Sequence, residues 1–178
     1  MIIEWFKKTT HLSSMPQEAI HSCPPKFKKV CTADGKLGSS FRIVISDRRG
    51  QEIPISSYRN NSGQTRYLLY DFYSEDDVAV ALDKICKFMD ASHHIQIFPV
   101  YLGDIDPMYA EPSNVSVCQF TLNGGEFRLR ADYDSCTISL YSTTKSDDPS
   151  FCDMLAVEIV LCLAECFPKV SGSSQESP

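Results

Sequence analysis

The amino-acid sequence predicts an α+β domain, a mostly antiparallel sheet packed against helices with a buried C-terminal helix. Hairpin-like turns separate most of the strand-like segments, and such turns join antiparallel neighbours. Two longer segments have helical periodicity. Because 178 residues suffice for one domain with its own core, we assign residues 1–170 to a single α+β domain. The apolar-poor end "SGSSQESP" (171–178) is predicted to be a flexible tail.

The N-terminal part predicts a weak helix followed by three strands. Residues 1–22 could form helical turns, and the two prolines of "SCPPKFKK" end that pattern. "TADGKLGSS" is typical of a loop or hairpin turn. "FRIVISD" (41–47) alternates apolar and polar residues and predicts a strand, and "EIPISSY" (52–58) predicts its partner. Pro54 would confine that partner to an edge, and "RYLLYDFY" (66–73) predicts the third strand.

The clearest helical segment is "SEDDVAVALDKICKFMDAS" (74–92). Ser74 is a good N-cap residue, and the acidic residues after it suit the positive end of a helix dipole. One apolar stripe with spacings of four, three and four residues comprises Val78, Leu82, Ile85 and Met89.

Four more strands are predicted after this helix. "HIQIFPVYL" (94–102) predicts one, with Pro99 indicating an edge or a bulge. A meander follows, with strands at Ser116–Leu122, Glu126–Ala131 and Cys136–Ser142 joined by short turns.

The last helix is expected to be central to the core. Asp148 is its predicted N-cap and Pro149 its first residue, a position that proline favours. Residues 151–167 are apolar nearly all round, and Pro168 would end the helix. The predicted element order is α-β-β-β-α-β-β-β-β-α.

Composition favours a cytoplasmic protein. The first residues contain no apolar run typical of an export signal, and the most apolar segment is too short to span a bilayer. In that compartment the eight cysteines are expected to be reduced rather than paired in disulfides.

Charge is unevenly distributed along the chain. Residues 1–66 contain 11 basic and 5 acidic residues, whereas residues 67–178 contain 6 and 18. Folding could mix these charges, or it could create a basic face and an acidic one, and the acidic one would attract a basic partner.

The sequence contains no strong catalytic motif, and we expect a non-enzyme without cofactors. Asp104, Asp106 and Glu111 could hold a metal ion, but a calcium loop would need further oxygen ligands and a glycine. His93 and His94 are expected on opposite sides of a strand, which disfavours a catalytic pair.

Nucleic-acid binding has weak support. A basic stripe could form with tyrosines for base stacking, from "KFKK" (26–29), Arg48, Arg49, Arg59, Arg66, Tyr58 and Tyr67. The acidic remainder of the chain would repel phosphates, so neither a nucleic-acid nor a membrane partner is expected.

Three acidic clusters that contain tyrosine favour a protein partner instead. Tyrosine is enriched at binding hot spots, and carboxylates accelerate encounter with a basic protein. The candidate partner-binding residues are Asp71, Tyr73 and Glu75, then Asp104, Asp106, Tyr109 and Glu111 in "YLGDIDPMYAEP", and finally Asp132, Tyr133 and Asp134 in "RADYDS".

In overall type the chain resembles the immunity proteins of bacterial toxin–immunity pairs, including those of contact-dependent growth inhibition. The resemblance implies a cytoplasmic, non-catalytic protein, a monomer before binding, that neutralises a cognate toxin domain such as a basic nuclease. Two alternatives stay open: a cytosolic chaperone of a secreted effector, and a small metal-dependent enzyme that uses Asp104, Asp106 and Glu111.

Overall fold

The computed structural model describes residues 25–47, 50–101, 114–142 and 149–167. Four strands and a helix are followed by four further strands and a second helix. The strands are β1 Phe27–Gly35, β2 Gly38–Ser46, β3 Glu52–Asn60, β4 Thr65–Asp71, β5 Val100–Tyr101, β6 Val115–Leu122, β7 Gly125–Asp132 and β8 Thr137–Ser142. The helices are α1 Glu75–His93 and α2 Pro149–Cys166.

All eight described strands belong to one antiparallel sheet, in the order β1-β2-β3-β4-β8-β7-β6-β5. Two meanders, β1 to β4 and β5 to β8, meet where β4 pairs with β8. The α+β prediction is confirmed at this level, as a single antiparallel sheet with two helices.

Strand β1 was not predicted from the sequence, and the strand that contains Pro54 was wrongly placed at an edge of the sheet. "TADGKLGSS" does contain a hairpin turn, at Lys36 and Leu37, but the strand before it begins at Phe27. β3 is an internal strand of the sheet rather than an edge. Pro54 is tolerated there because β3 pairs with β4 only from Ser56 to Arg59, so the missing N–H interrupts no bond of that ladder.

The predicted strand 94–102 is mostly wrong. Of its described residues, 94–101, only Val100–Tyr101 form a strand, which pairs with β6. His93 is the last residue of α1, and His94 is its left-handed C-cap, with φ 55°. The two histidines therefore do not alternate across a strand, and His93 Nε2 instead lies 3.1 Å from a carboxylate oxygen of Glu158 on α2.

Helix α1 begins as the sequence predicts. The Ser74 hydroxyl accepts a hydrogen bond from the Asp77 backbone N–H at 3.2 Å. Glu75, Asp76 and Asp77 occupy the first turn, where the helix dipole favours negative charge. The four residues of the predicted stripe are all buried.

The buried side chains of the sheet and of both helices form one cluster. Strands contribute alternate residues, such as Ile43 and Ile45 on β2 and Phe127 and Leu129 on β7. On α2, which the sequence predicted to lie in the core, Leu155, Ile159 and Leu163 are at most 1% exposed. Both helices thus lie on the sheet face that bears these residues.

A polar cluster of Lys29, Tyr67 and Asp153 lies between the sheet and α2. Asp153 of α2 is 5% exposed, and one of its carboxylate oxygens accepts from the Tyr67 hydroxyl at 2.8 Å. The other oxygen accepts from Lys29 Nζ at 2.5 Å. Burial and the adjacent carboxylate raise the pKa of Tyr67 far above its ordinary value, so Tyr67 remains a donor. The cluster ties α2 to β4 and to the edge strand β1.

Several predictions fall outside the described residues: the helix at 1–22, the Asp148 cap, Pro168 and the tail 171–178. None of the seven cysteines within the described ranges forms a disulfide. Neither described helix is long and apolar enough to cross a membrane.

Candidate functional site

Two of the three predicted acidic clusters meet at one end of the sheet. Asp71, the last residue of β4, pairs with Thr137, the first residue of β8. Thr137 also pairs with Asp132, the last residue of β7. The sequence places these two carboxylates 61 residues apart, and the β4–β8 pairing places them on either side of one threonine. We call Asp71, Tyr73, Glu75, Asp132 and Asp134 the acidic end.

Among the large hydrophobic side chains of the described residues, Tyr73 is the most exposed, at 87%. It lies between the end of β4 and the Ser74 cap of α1, so rigid elements hold its backbone on both sides. Glu75 is exposed in the first turn of α1. An aromatic ring and carboxylates therefore face solvent together.

The carboxylate of Asp132 is held by hydrogen bonds from two neighbouring residues. It accepts from the Ser135 backbone N–H at 3.0 Å and from Arg130 Nη2 at 3.0 Å. Burial alone would raise the pKa of Asp132, but these donors outweigh it and hold the pKa below its ordinary value. Asp132 is thus ionised at neutral pH, with part of its charge neutralised by Arg130.

The turn between β7 and β8 is held by contacts to β6 and its preceding residue. Tyr133 is half-buried; its backbone N–H donates to the Asn114 carbonyl at 2.9 Å, and its hydroxyl donates to Ser116 Oγ at 3.3 Å. Asp134 is exposed and accepts from Asn114 Nδ2 at 3.3 Å. Tyr133 therefore fixes the turn, whereas Asp134 projects charge from it.

The third predicted cluster, Asp104, Asp106, Tyr109 and Glu111, lies outside the described residues. Its described flanks are Tyr101, which pairs with Ser116, and Asn114, which contacts the β7–β8 turn. Both flanks belong to the same end of the sheet as Asp132. Within the described ranges, no three or more His, Cys, Asp or Glu side chains are placed to hold a metal ion.

A second surface, on the sheet face opposite the helices, was not predicted in this form. We call this face the open face, because no described element covers it. Strand register places Tyr58, Arg66, Tyr141 and Arg128 directly opposite one another on β3, β4, β8 and β7. We call these four residues the arginine–tyrosine row. Sequence reasoning had grouped Arg66 with Tyr58 but also with Tyr67, which the structure buries on the other face.

Contacts within the row and to neighbouring residues orient its side chains. The Arg66 guanidinium lies over the Tyr141 ring, 5.5 Å from its centroid. The Tyr58 hydroxyl donates to the Leu37 carbonyl at 2.9 Å. With its amide oxygen turned toward Arg128, Gln119 accepts from that guanidinium at 2.7 and 3.2 Å.

Two shallow depressions of about 460 and 410 Å³ lie on the open face, and Tyr58 and Arg66 line both. The larger one reaches Arg128 and Arg130, and the smaller one reaches Arg42 and Leu68. Their combined linings extend across the sheet from Thr32 on β1 to Val117 on β6.

Comparison with known proteins does not assign the chain to a family. No family model matches the chain, and no curated protein or solved structure is significantly similar to it. The functional argument therefore depends on the acidic end and the open face themselves.

Proposed function

We propose that this protein is a non-catalytic binding module that docks a basic protein on its acidic end. In the particular form that we favour, it is an immunity protein that binds and neutralises a cognate toxin domain, such as a basic nuclease. It acts as a monomer before binding. The observation that carries the proposal is the 87% exposed ring of Tyr73 among the carboxylates of the acidic end.

An exposed tyrosine at the end of a rigid strand is suited to anchor a partner. Its ring gains contact area at a low cost in side-chain entropy, and tyrosine is enriched among hot-spot residues. Asp71 and Asp134 are exposed at the same end of the sheet and would steer a positively charged surface toward it.

The charge of the two helices also favours a positively charged partner. Together α1 and α2 contain eight acidic residues and two basic ones. This field attracts a basic protein at long range, and the acidic end supplies the contact surface.

The test begins by capturing the partner from the producing cell with the tagged chain, and then measures its affinity for variants. Tyr73→Ala removes the anchor and should weaken binding by about 2 kcal/mol, roughly 30-fold. Leu37→Ala is the matched control, because Leu37 is 81% exposed at the turn end of the β1–β2 hairpin. Equal affinity of both variants for the partner would show that the acidic end is not the docking surface.

The segment between β5 and β6 is tested separately. Reversal of Asp104 and Asp106 to Lys should leave the fold intact and slow association with the partner. If the same reversal instead abolishes a magnesium-dependent turnover, the protein is an enzyme and the proposal fails.

A further inference from the structure

The open face has a second row beside the arginine–tyrosine row. Register places Arg42, Ser56, Leu68, Ser139 and Arg130 opposite one another from β2 to β7. Arginine thus stands at both ends of this row, with the half-buried Leu68 between them. The two rows present four guanidinium groups around an apolar centre.

Three of these four guanidinium groups lack a carboxylate partner within the described part of the chain. Arg130 pairs with Asp132 at 3.0 Å, whereas no described ion pair involves Arg42, Arg66 or Arg128. The acidic residues of this face lie at strand ends, at Glu52, Asp71, Glu126 and Asp132. The middle of the open face is therefore positive, although the whole chain has a net charge of −6.

We propose that the middle of the open face, around Arg66 and Arg128, binds an acidic stretch of a protein, whereas Asp71 and Asp132 of the acidic end lie at the margin of this face. Arg66 and Arg128 are two strands apart, about 10 Å at the usual strand spacing. A peptide in the polyproline II conformation covers that distance in three residues, at about 3.1 Å per residue, and its three residues per turn bring positions i and i+3 to the same side. Carboxylates at positions i and i+3 would therefore meet one guanidinium each, and guanidinium–carboxylate pairs can form two parallel hydrogen bonds.

The chemistry of the face favours a protein over a nucleic acid. Arg66 already covers a face of the Tyr141 ring, which reduces the area on which a base could stack. Leu68, Val44 and Val117 are half-buried on the open face and offer apolar contacts between the charges. The eight acidic residues of the helices would repel a long polyanion.

The test measures binding of fluorescein-labelled peptides by anisotropy, at low and high salt. The acidic probe is a twelve-residue peptide, (Glu-Ser-Ser)4, with (Gln-Ser-Ser)4 as its neutral counterpart and twelve-nucleotide oligouridine as the nucleic-acid comparison. The acidic peptide should bind, and its affinity should fall with salt because exposed charges are screened. The neutral peptide should not bind.

Variants locate the site. Arg66→Glu should weaken binding of the acidic peptide at least tenfold, and Arg66→Thr, which suits an exposed strand position, should weaken it as well. Lys84→Glu makes the same charge change on the exposed side of α1 and should change affinity less than twofold. Circular dichroism of each variant verifies the fold.

Three results would overturn the inference: no binding of the acidic peptide, equal loss with Lys84→Glu, or tighter binding of oligouridine than of the peptide. Tyr73→Ala should leave peptide binding unchanged. A negative result with the acidic peptide would therefore not count against the acidic end. Likewise, if Tyr73→Ala does not weaken partner binding, the proposal for the open face still stands.

Discussion

Asp153 is the residue whose removal should most clearly reveal how the core is held together. Its carboxylate accepts from Tyr67 at 2.8 Å and from Lys29 at 2.5 Å. Asp153→Ala would leave the fully buried Tyr67 hydroxyl without this acceptor, at about 1–3 kcal/mol. The Lys29 side chain is 26% exposed and is partly solvated, so its loss adds less than a fully buried charge would.

With the lost volume, the total cost of Asp153→Ala should be about 3–5 kcal/mol, in the range for breaking a buried ion pair. At this chain length the melting temperature should fall by roughly 6–20 °C. Urea unfolding followed by far-ultraviolet circular dichroism gives the free energy of unfolding directly.

A double-mutant cycle tests whether the hydrogen bond itself carries this energy. Tyr67→Phe alone should cost about 1–3 kcal/mol, and the double variant should cost less than the sum of the two by at least about 0.5 kcal/mol. Additivity within about 0.3 kcal/mol would refute the coupling. Replacing all three residues together, with Lys29→Met, Tyr67→Phe and Asp153→Leu, should recover most of the loss because no polar side chain of this cluster is then left without its partner.

Four further predictions concern the core, the thiols, pH and the hairpin. Ile159→Asp should cost several kcal/mol because it buries an unpaired charge, and an unchanged melting temperature would show that α2 is misassigned. Dithiothreitol should barely change the melting temperature; a drop above about 10 °C would reveal a stabilising disulfide. Burial and, to a smaller extent, the neighbouring Tyr73 raise the pKa of Tyr70 to about 12. The protonated Tyr70 hydroxyl therefore contributes its full stabilisation below pH ~10, and this contribution decreases as the pH rises toward 12. Tyr70→Phe should flatten the curve of stability against pH in this range. Gly38→Ala would push a methyl group against the Arg59 carbonyl at φ 149° and should cost about 1–3 kcal/mol in urea unfolding, whereas wild-type stability would contradict that close approach.

Local patterns were sufficient for the elements whose stability is mainly local. Helix α1 has both a cap and an apolar stripe, and the meander β6 to β8 has alternation and short turns, so each was predicted within one or two residues. Strand β1 was missed because it is an edge strand with mostly exposed residues and little alternation. The strand prediction for residues 94–99 was wrong because the left-handed cap at His94 and the proline at position 99 disfavour strand pairing, although the apolar residues of the segment alternate as in a strand.

The candidate surfaces depended on pairing between distant segments, which local pattern does not contain. The acidic residues of the end were identifiable one cluster at a time, but only the β4–β8 pairing places Asp71 near Asp132. The arginine–tyrosine row was missed for the same reason. Its signal was present in the sequence as Arg128 and Arg130 at alternate positions of a strand, on the side opposite Phe127 and Leu129.

The most direct test of the proposed function is the association rate of the captured partner with a charge-reversed acidic end. Asp71→Lys should slow association at least about threefold at low ionic strength and reduce the dependence of the rate on salt. Asp90→Lys makes the same charge change in the last turn of α1, away from the acidic end, and should slow association less. If the two variants associate with equal rates at every salt concentration, the acidic end does not steer or dock the partner, and the central claim is wrong.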